Sequence, residues 1–250
     1  MCLIAWNWQP GKGLLLLANR DEFYARPTLP LHRWADGDLL AGKDLQGGGT
    51  WLGLGRGGRL AALTNVRDPR QFRADAPTRG TLVADFLRGE MSGPAYLAQL
   101  VPQAPAFNPF NLLLFDGERL LGFESQGART IPLSAGVNAV SNARFNTPWP
   151  KLQRLTHALR QRGVPDVVQP QDVLPLLTDT QTASDAQLPD TGVPLATERA
   201  LSATFIRTPD YGTRACSIVH MRGQQTEFWE QEFGADGVGT LRHQIAIPGG

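Results

Sequence analysis

The chain of 250 residues carries 24 lysines and arginines against 23 aspartates and glutamates, a formal charge of +1. A balance this close to neutral disfavours nucleic acid or an anionic membrane surface as the main partner. Hydrophobic residues make up 42% of the chain, enough for one domain with a substantial core. Cys2 and Cys216 are too few for a disulfide framework, so a reducing, cytoplasmic location is expected.

The first residues predict neither a secretion signal nor a membrane span. Asn7, Gln9 and Lys12 interrupt the apolar residues, and no basic segment precedes them. The longest early apolar run, residues 14–18, is far shorter than the roughly 20 residues that cross a bilayer. We therefore expect no integral membrane segment.

Strand patterns dominate the first quarter of the chain. Apolar runs at 3–8 and 14–18 flank a Pro-Gly turn and predict a β-hairpin. A further strand is expected at 39–44, and a second hairpin over 50–65. The sequence GLGRGG at 53–58 matches a dinucleotide-binding pattern. It lies between two strands with no helix after it, so we interpret it as the turn of the second hairpin.

Helical patterns follow at 78–90, 93–103 and 146–163. The last is the clearest, because Thr147 is placed to cap its start and Gly163 to end it. Amphipathic helices of this kind are expected to cover a sheet on one face.

The remaining segments alternate between strands and surface. An Asp-Gly pair within 111–125 predicts another hairpin. Residues 165–200, rich in Pro, Asp and Thr, form the expected surface excursion around one short helix. Strands return at 202–208, 213–221 and 225–233, and a Gly-rich tail begins after them. Strands at both ends with helices between them predict one α+β domain over the whole chain.

Hairpin spacing places Cys2 beside charged residues. If Trp8 faces Leu14 across the first turn, paired residue numbers sum to about 22. Cys2 then lies opposite Arg20, in the middle of the sequence Asn-Arg-Asp-Glu at 19–22. A thiol, a guanidinium and two carboxylates therefore meet at one end of the hairpin.

The second hairpin brings a similar set to its own open end, where Asn65 lies near Gly49 and Thr50. Polar groups clustered at strand ends are typical of sites built on a scaffold. The candidate site residues from the two hairpins are Cys2, Asn19, Arg20, Asp21, Glu22, Thr50, Thr64 and Asn65.

These residue types suit nucleophilic chemistry. Cysteine reacts as the thiolate, and a nearby cation lowers its pKa. If Met1 is removed, Cys2 also carries the α-amine, whose pKa of about 7.7–8.0 suits a general base. Asp21 then holds the ammonium form, and asparagine amides stabilise an oxyanion. The alternative is a solvated surface turn beside an inert, buried cysteine.

No metal or cofactor is expected. The four histidines have no ligand spacing and no Cys-x-x-Cys pair is present, so a zinc site is disfavoured; they lie at positions 32, 157, 220 and 243.

Six stretches occur in a characteristic order: MCLIAWNW, ANRDEFYARPTLPL, LAGKDLQGGGTWLGL, ALTNVRD, SNARFNTPWPKL and YGTRACSIV. They resemble the NRDE family, named for its Asn-Arg-Asp-Glu motif, which includes the eukaryotic transport and Golgi organisation protein 2. The matches run from residue 1 to about residue 220. The resemblance implies an N-terminal nucleophile (Ntn) hydrolase-like fold, a four-layer αββα sandwich.

The nearest analogy within that fold is to cysteine acylases that cleave penicillin V and conjugated bile salts. The positions that match their site residues are Cys2, Arg20, Asp21, Asn65, Asn142 and Arg214. By this resemblance Asn65 and Asn142 contact the oxyanion and the substrate amide, and Arg214 supports the thiolate.

This sequence differs from the acylases at one of the matched positions. In the acylases two residues separate the early Arg from the Asp. Here Arg20 and Asp21 are adjacent, and strand neighbours point to opposite faces unless the chain bulges. Asp21 is therefore the better-supported match, and the sequence leaves open whether Asn19 or Arg20 faces Cys2.

The resemblance implies an amidohydrolase that cleaves a non-peptide C–N bond of a small-molecule substrate through an acyl-enzyme on Cys2. The alternative is a non-catalytic binding or carrier protein for an apolar ligand such as haem or lipid. The sequence leaves the oligomeric state open.

Overall fold

A computed structural model describes residues 2–246 of the chain. Within this range the strands are β1 (Cys2–Gln9), β2 (Gly13–Phe23), β3 (Thr28–Arg33), β4 (Leu40–Asp44), β5 (Leu52–Leu54), β6 (Leu60–Asn65), β7 (Phe110–Phe115), β8 (Leu120–Glu124), β9 (Arg129–Pro132), β10 (Gly136–Val140), β11 (Tyr211–Arg222), β12 (Gln225–Gly234) and β13 (Gly237–Ala246). The α-helices of the same range are α1 (Gly80–Arg88), α2 (Gly93–Leu100), α3 (Pro150–Arg162), α4 (Pro170–Leu177) and α5 (Leu195–Leu201).

The strands form two antiparallel sheets. Within residues 2–246, the first sheet has the order β10-β1-β2-β11-β12-β13, and the second runs from β3 to β9 in chain order. The first sheet pairs β2 with β11, so strands from the two ends of the sequence share one sheet. Strand β1 lies inside this sheet, paired with β2 from Cys2 and with β10 from Ile4.

Three apolar clusters separate four layers. Alternate residues of β1 and β2, such as Ile4 and Leu16, pack against the second sheet, while Leu3 and Leu17 face the opposite way. Each large apolar side chain buried in this way contributes roughly 1.5–3 kcal/mol. The period-2 alternation of strand side chains thus gives each sheet two apolar faces.

Helices cover both outer faces. Val83 and Phe86 of α1 pack with the second sheet, and Leu155 of α3 and Leu177 of α4 pack with the first. This layer order confirms the predicted α+β, four-layer αββα sandwich expected of an Ntn-hydrolase-like fold.

Local predictions are confirmed where the turn chemistry is strong. Trp8 pairs with Leu14 and Cys2 with Arg20, as the register arithmetic predicts. The second hairpin closes through a single 3-10 turn at Arg56–Gly58, so the glycine-rich motif is a turn.

The predicted boundaries of α3 are partly wrong. Gly163 ends the helix with a φ of 69°, as predicted. Thr147, however, does not cap its start, because its hydroxyl donates to the Arg144 carbonyl at 2.8 Å and Trp149 occupies the N-cap position. Pro150 as the first helical residue lacks an N–H and needs no cap.

The predicted strand at 202–208 is also wrong. Only Arg207 makes an isolated bridge there, to Gly212. The carbonyl of Thr204 accepts from the Asn19 side chain, and the Phe205 N–H donates to the Asp179 carbonyl at 2.8 Å. These partners take up backbone groups that a strand would offer to a neighbour.

Strand β13, which pairs with β12, was not predicted, because its sequence is rich in glycine and polar residues. The final residues of the predicted tail, 247–250, lie outside the described range. Within the predicted excursion, α4 belongs to the helical layer, whereas 178–194 holds one 3-10 turn, Asp185–Gln187. None of the helices in residues 2–246 combines the length and apolar character that crossing a bilayer requires.

Candidate functional site

A cavity of about 630 Å³ lies at the end of the sandwich where β1 begins, lined by both sheets and by the segment before α1. Seven of the predicted site residues border it: Cys2, Arg20, Asp21, Glu22, Thr50, Asn65 and Arg214. Three others lie behind its wall: Asn19, Thr64 and Asn142.

Cys2 and Arg20 share the face of the first sheet that looks toward the second. They are directly paired across β1 and β2, and strand alternation places both with Ile4, whose side chain lies between the sheets. Asn19 points the other way, where its amide donates to the carbonyls of Leu177 and Thr204 at 2.8 and 2.9 Å. Arg20, and not Asn19, therefore faces the cavity with Cys2.

The Arg20 guanidinium is held loosely. Its Nη2 atom lies 3.9 Å from a carboxylate oxygen of Glu22 and 3.9 Å from one of Asp44. Arg26 makes the tighter pair with Asp44, at 2.8 Å. The Arg20 head group therefore keeps hydrogen-bonding capacity for a ligand.

Asp21 is almost fully buried beside the helical layer. Its Oδ1 accepts from the Thr213 hydroxyl at 2.7 Å. The β11 strand carries a bulge here: Thr213 pairs with Asp21 and Ala215 with Arg20, which leaves Arg214 as the extra residue. The bulge lets β11 follow β2 past the two charged neighbours, which still point to opposite faces.

Sequence reasoning missed Lys151. This lysine of α3 is 1% exposed, and its Nζ donates to the Leu201 carbonyl at 3.0 Å. Burial lowers the pKa of Lys151 to about 8, and the Asp21 carboxylate acts against that decrease. Its spacing from Leu155 and Leu159 puts a lysine in the buried stripe of the helix, which was the available signal.

Arg214 reaches the cavity from the bulge. Its Nη1 donates to the backbone carbonyls of Phe23 and Arg26, whereas its buried Nε has no hydrogen-bond partner. Burial lowers the pKa of Arg214, and the like charge of Arg20 lowers it further.

Of the two predicted oxyanion asparagines, Asn65 lines the cavity and Asn142 supports the Asn65 backbone. Asn65 borders the cavity, and the Asn142 amide donates to the Asn65 carbonyl at 2.8 Å. Next to Asn142, the Ser141 hydroxyl donates to the Cys2 carbonyl at 3.0 Å. Thr64, fully buried, donates to the Ser141 carbonyl at 2.6 Å. This network fixes the start of β1 against β6.

The surroundings of the Cys2 thiol act on its pKa in opposite directions. Burial raises the pKa of Cys2, and the charge of Asp21 raises it further, while Arg20 only partly opposes this. The Arg20 guanidinium lowers the pKa of the thiol, as predicted, but burial raises that pKa by more. Desolvation outweighs the guanidinium because the side chain is 8% exposed.

Glu230 is a buried carboxyl group in the cavity wall, and its Oε1 accepts from the Leu31 N–H at 2.7 Å. Burial raises the pKa of Glu230 from 4.5 to about 7. Between these values the folded state retains a proton that the unfolded state has lost, so stability falls as pH rises.

Because of Glu230, we expect the free energy of unfolding of the wild-type protein to be up to about 3 kcal/mol lower at pH 8 than at pH 5. Urea denaturation at both pH values is compared with that of Glu230→Gln, which keeps the acceptor for Leu31. The variant should lose this part of the pH dependence, and an unchanged difference between the two pH values contradicts the assignment.

Gly49 packs directly on the start of α1. A Cβ atom on Gly49 would lie 2.2 Å from the Gly80 carbonyl carbon, and the Thr50 N–H donates to the Gly80 carbonyl at 3.2 Å. Gly49→Ala is expected to cost about 2–4 kcal/mol, because two backbones must separate. Urea denaturation measures the loss. Gly234→Ala is the control, since its nearest atom would be 4.0 Å away.

No group of three or more His, Cys, Asp or Glu side chains within residues 2–246 is arranged to hold a metal ion. Both cysteines in that range are free thiols.

Fold and site together define a class of protein: an αββα sandwich with a cysteine at the start of an inner strand, facing a charged cavity between the sheets. A family model described as Transport and Golgi organisation 2 matches residues 1–235. The chain belongs to this family.

Individual relatives agree with that assignment. The chain is 34% identical over 249 residues to the Transport and Golgi organization protein 2 homolog of Bos taurus, covering 88% of each chain. It is 34% identical over 245 residues to the Homo sapiens homolog, with the same coverage. Among solved structures, the Caenorhabditis elegans N-acylethanolamine-hydrolyzing acid amidase ortholog aligns with a TM-score of 0.45 and 11% identity, over 71% of this chain and 86% of that one.

Proposed function

We propose that the protein is an N-terminal-cysteine amidohydrolase that cleaves a non-peptide C–N amide bond through an acyl-enzyme on Cys2. One observation carries the proposal: Cys2 opens β1 at the wall of the cavity and is paired with Arg20. A nucleophile on a rigid strand, facing a cavity lined by polar groups, meets the geometric requirement for attack on a bound carbonyl.

In the proposed reaction the Cys2 sulfur attacks the amide carbonyl carbon and the C–N bond breaks. The amine leaves with a proton and the acyl group remains as a thioester. Water then attacks the thioester, which releases the carboxylic acid and restores the thiol. The Asn65 side chain supplies an amide donor to the oxyanion in this scheme, and Asn142 holds the Asn65 backbone in place.

Because burial raises the pKa of Cys2, the thiolate must form during attack, and a base has to take the proton. The α-amine that Met1 removal creates on Cys2 has a suitable pKa of about 7.7–8.0. Asp21, supported by Thr213 and Lys151, holds its ammonium form in this scheme. The proposal places the reaction in the cytoplasm, which the two free thiols support.

The second candidate is a non-catalytic binding protein on the same scaffold. The raised pKa of Cys2 favours it, because buried cysteines without activation are inert. An apolar ligand such as haem or lipid is less favoured by this cavity, whose wall carries several arginines and carboxylates. Haem titration followed by the Soret band tests this binding function. If Cys2 is the axial ligand, the shift of the band is lost in Cys2→Ala.

The deciding experiment is intact mass spectrometry of untagged protein before and after incubation with a panel of acyl amides and one acyl p-nitroanilide. Loss of one methionine and an acyl adduct on the Cys2 peptide support the hydrolase. Retention of Met1 together with no adduct on Cys2 contradicts it. Cys216→Ala is the matched control, and its adduct yield should equal that of the wild type, because Cys216 lies fully buried among apolar residues.

A further inference from the structure

Within residues 2–246, the wall of the cavity beside Cys2 carries six cationic side chains and five carboxylates. Its cationic side chains are Arg20, Arg26, Lys43, Arg73, Arg79 and Arg214. Its carboxylates are Asp21, Glu22, Asp44, Glu230 and Glu232.

The carboxylates are largely engaged. Asp44 pairs with Arg26 at 2.8 Å, and Glu232 pairs with Arg242 at 2.6 Å. Asp21 points to the helical layer and interacts with the buried Lys151. Glu22 is left to balance the loosely held Arg20.

Four cationic side chains of the wall have no ion pair among the described residues. Lys43 lies over the Trp34 ring, and Arg73 donates to three backbone carbonyls at 105–107. The other two are Arg79 and Arg214.

Arg79 donates only to the Pro109 carbonyl, at 3.2 Å, and Arg214 donates only to backbone carbonyls. The Nε of Arg214 is buried and lacks a partner, which is costly unless a ligand satisfies it. Arg79 and Arg214 line the same cavity as Cys2.

The backbone holds Arg79 in place. Arg79 is the N-cap residue of α1, and the next residue, Gly80, packs on Gly49 and accepts from the Thr50 N–H. The Cα position of Arg79 in the cavity wall is therefore fixed. A guanidinium so placed can orient an anionic ligand, because it binds carboxylate and phosphate oxygens in a fixed geometry.

We infer that Arg79 and Arg214 form an oxyanion-binding subsite next to Cys2, so that the protein takes acyl amides carrying a carboxylate or phosphate group. Sequence reasoning did not single out Arg79. The substrate part of this inference rests on the proposed amidohydrolase function, whereas the subsite itself does not.

The first test compares the rates at which anionic iodoacetate and neutral iodoacetamide alkylate Cys2, followed by mass spectrometry of the Cys2 peptide. Both reagents attack the same thiolate, so the ratio of the two rates cancels any change in the thiol pKa. Arg79→Gln should lower the iodoacetate-to-iodoacetamide ratio roughly 5-fold, by removal of one nearby positive charge.

Two further variants make the alkylation result specific. Arg79→Lys keeps the charge and should keep most of the ratio. Arg160→Gln makes the same change on the exposed face of α3 and should leave the ratio unaltered. Equal ratios in wild type and Arg79→Gln overturn the subsite.

The second test measures binding to Cys2→Ala by calorimetry, with three ligands that share one acyl amide. They are N-hexanoylglycine, N-hexanoyl-O-phosphoethanolamine and the neutral N-hexanoylethanolamine. At least one anion should bind about 10-fold more tightly than the neutral ligand, and Arg79→Gln should remove the difference. The two anionic arms distinguish a carboxylate from a phosphate ligand.

The outcomes separate the two proposals. Preference for an anion without turnover of any amide by the wild type supports the subsite and contradicts the hydrolase. Turnover of neutral and anionic amides at equal rates, with equal binding, supports the hydrolase and overturns the subsite.

Discussion

Cys2→Ala should abolish amide hydrolysis, with a loss of about 10³-fold or more in kcat, and should leave no acyl adduct. The loss is that large because no other thiol borders the cavity among the described residues. The measurement is steady-state hydrolysis of the best amide from the adduct panel, with intact mass recorded at the same time.

The fold should survive the Cys2→Ala substitution. Only one sulfur atom is removed, and the Cys2 backbone carbonyl keeps its hydrogen bond from Ser141. Stability in urea is expected to fall by no more than about 1 kcal/mol. Turnover by Cys2→Ala at the wild-type rate contradicts the proposed mechanism. An unfolded variant is distinguished by circular dichroism, and Cys2→Ser, nearly isosteric, then replaces it.

Lys151→Met should destabilise the protein by about 3–5 kcal/mol, the second large effect. The substitution keeps the length of the side chain but removes the ammonium that interacts electrostatically with the buried Asp21, and the Leu201 carbonyl loses its donor. Urea denaturation at pH 7 measures the change. Lys12→Met, in the exposed turn between β1 and β2, is the matched control and should stay within about 0.5 kcal/mol.

A double-mutant cycle tests whether the loss of stability in Lys151→Met comes from the interaction with Asp21. Asp21→Asn removes the charge that Lys151 balances, so Lys151→Met should cost about 1–3 kcal/mol less in that background than in the wild type. Equal costs in the two backgrounds show that Lys151 acts through packing and its carbonyl contact alone.

The opening hairpin could be read from the sequence because its determinants are local. A Pro-Gly turn between two apolar runs fixes which residues of β1 and β2 pair. A shift of the register by one residue would turn every side chain of a strand to the wrong face. Cys2 opposite Arg20 follows from that register alone. Gly163 at the end of α3 is local in the same sense, since it supplies the left-handed conformation.

Predictions failed where a distant partner decides. Residues 202–208 have strand-forming composition, yet the Asn19 amide holds the Thr204 carbonyl from across the chain. Propensity is a weak influence that such tertiary contacts override. Thr147 is a residue type that caps helices, and it fails to do so for a local reason: its hydroxyl donates to the Arg144 carbonyl, and Pro150 at the start of α3 needs no cap.

By itself the sequence determined the strand register that sets Cys2 against Arg20, because hairpin pairing depends on a few adjacent residues. Only the tertiary structure decided that the charges of Lys151 and Asp21 interact, that Arg214 is the extra residue of a bulge, and that burial raises the thiol pKa. Each of these depends on which layers meet around a side chain. Desolvation and charge pairing act between elements far apart in the chain, and their effects are fixed when the layers pack.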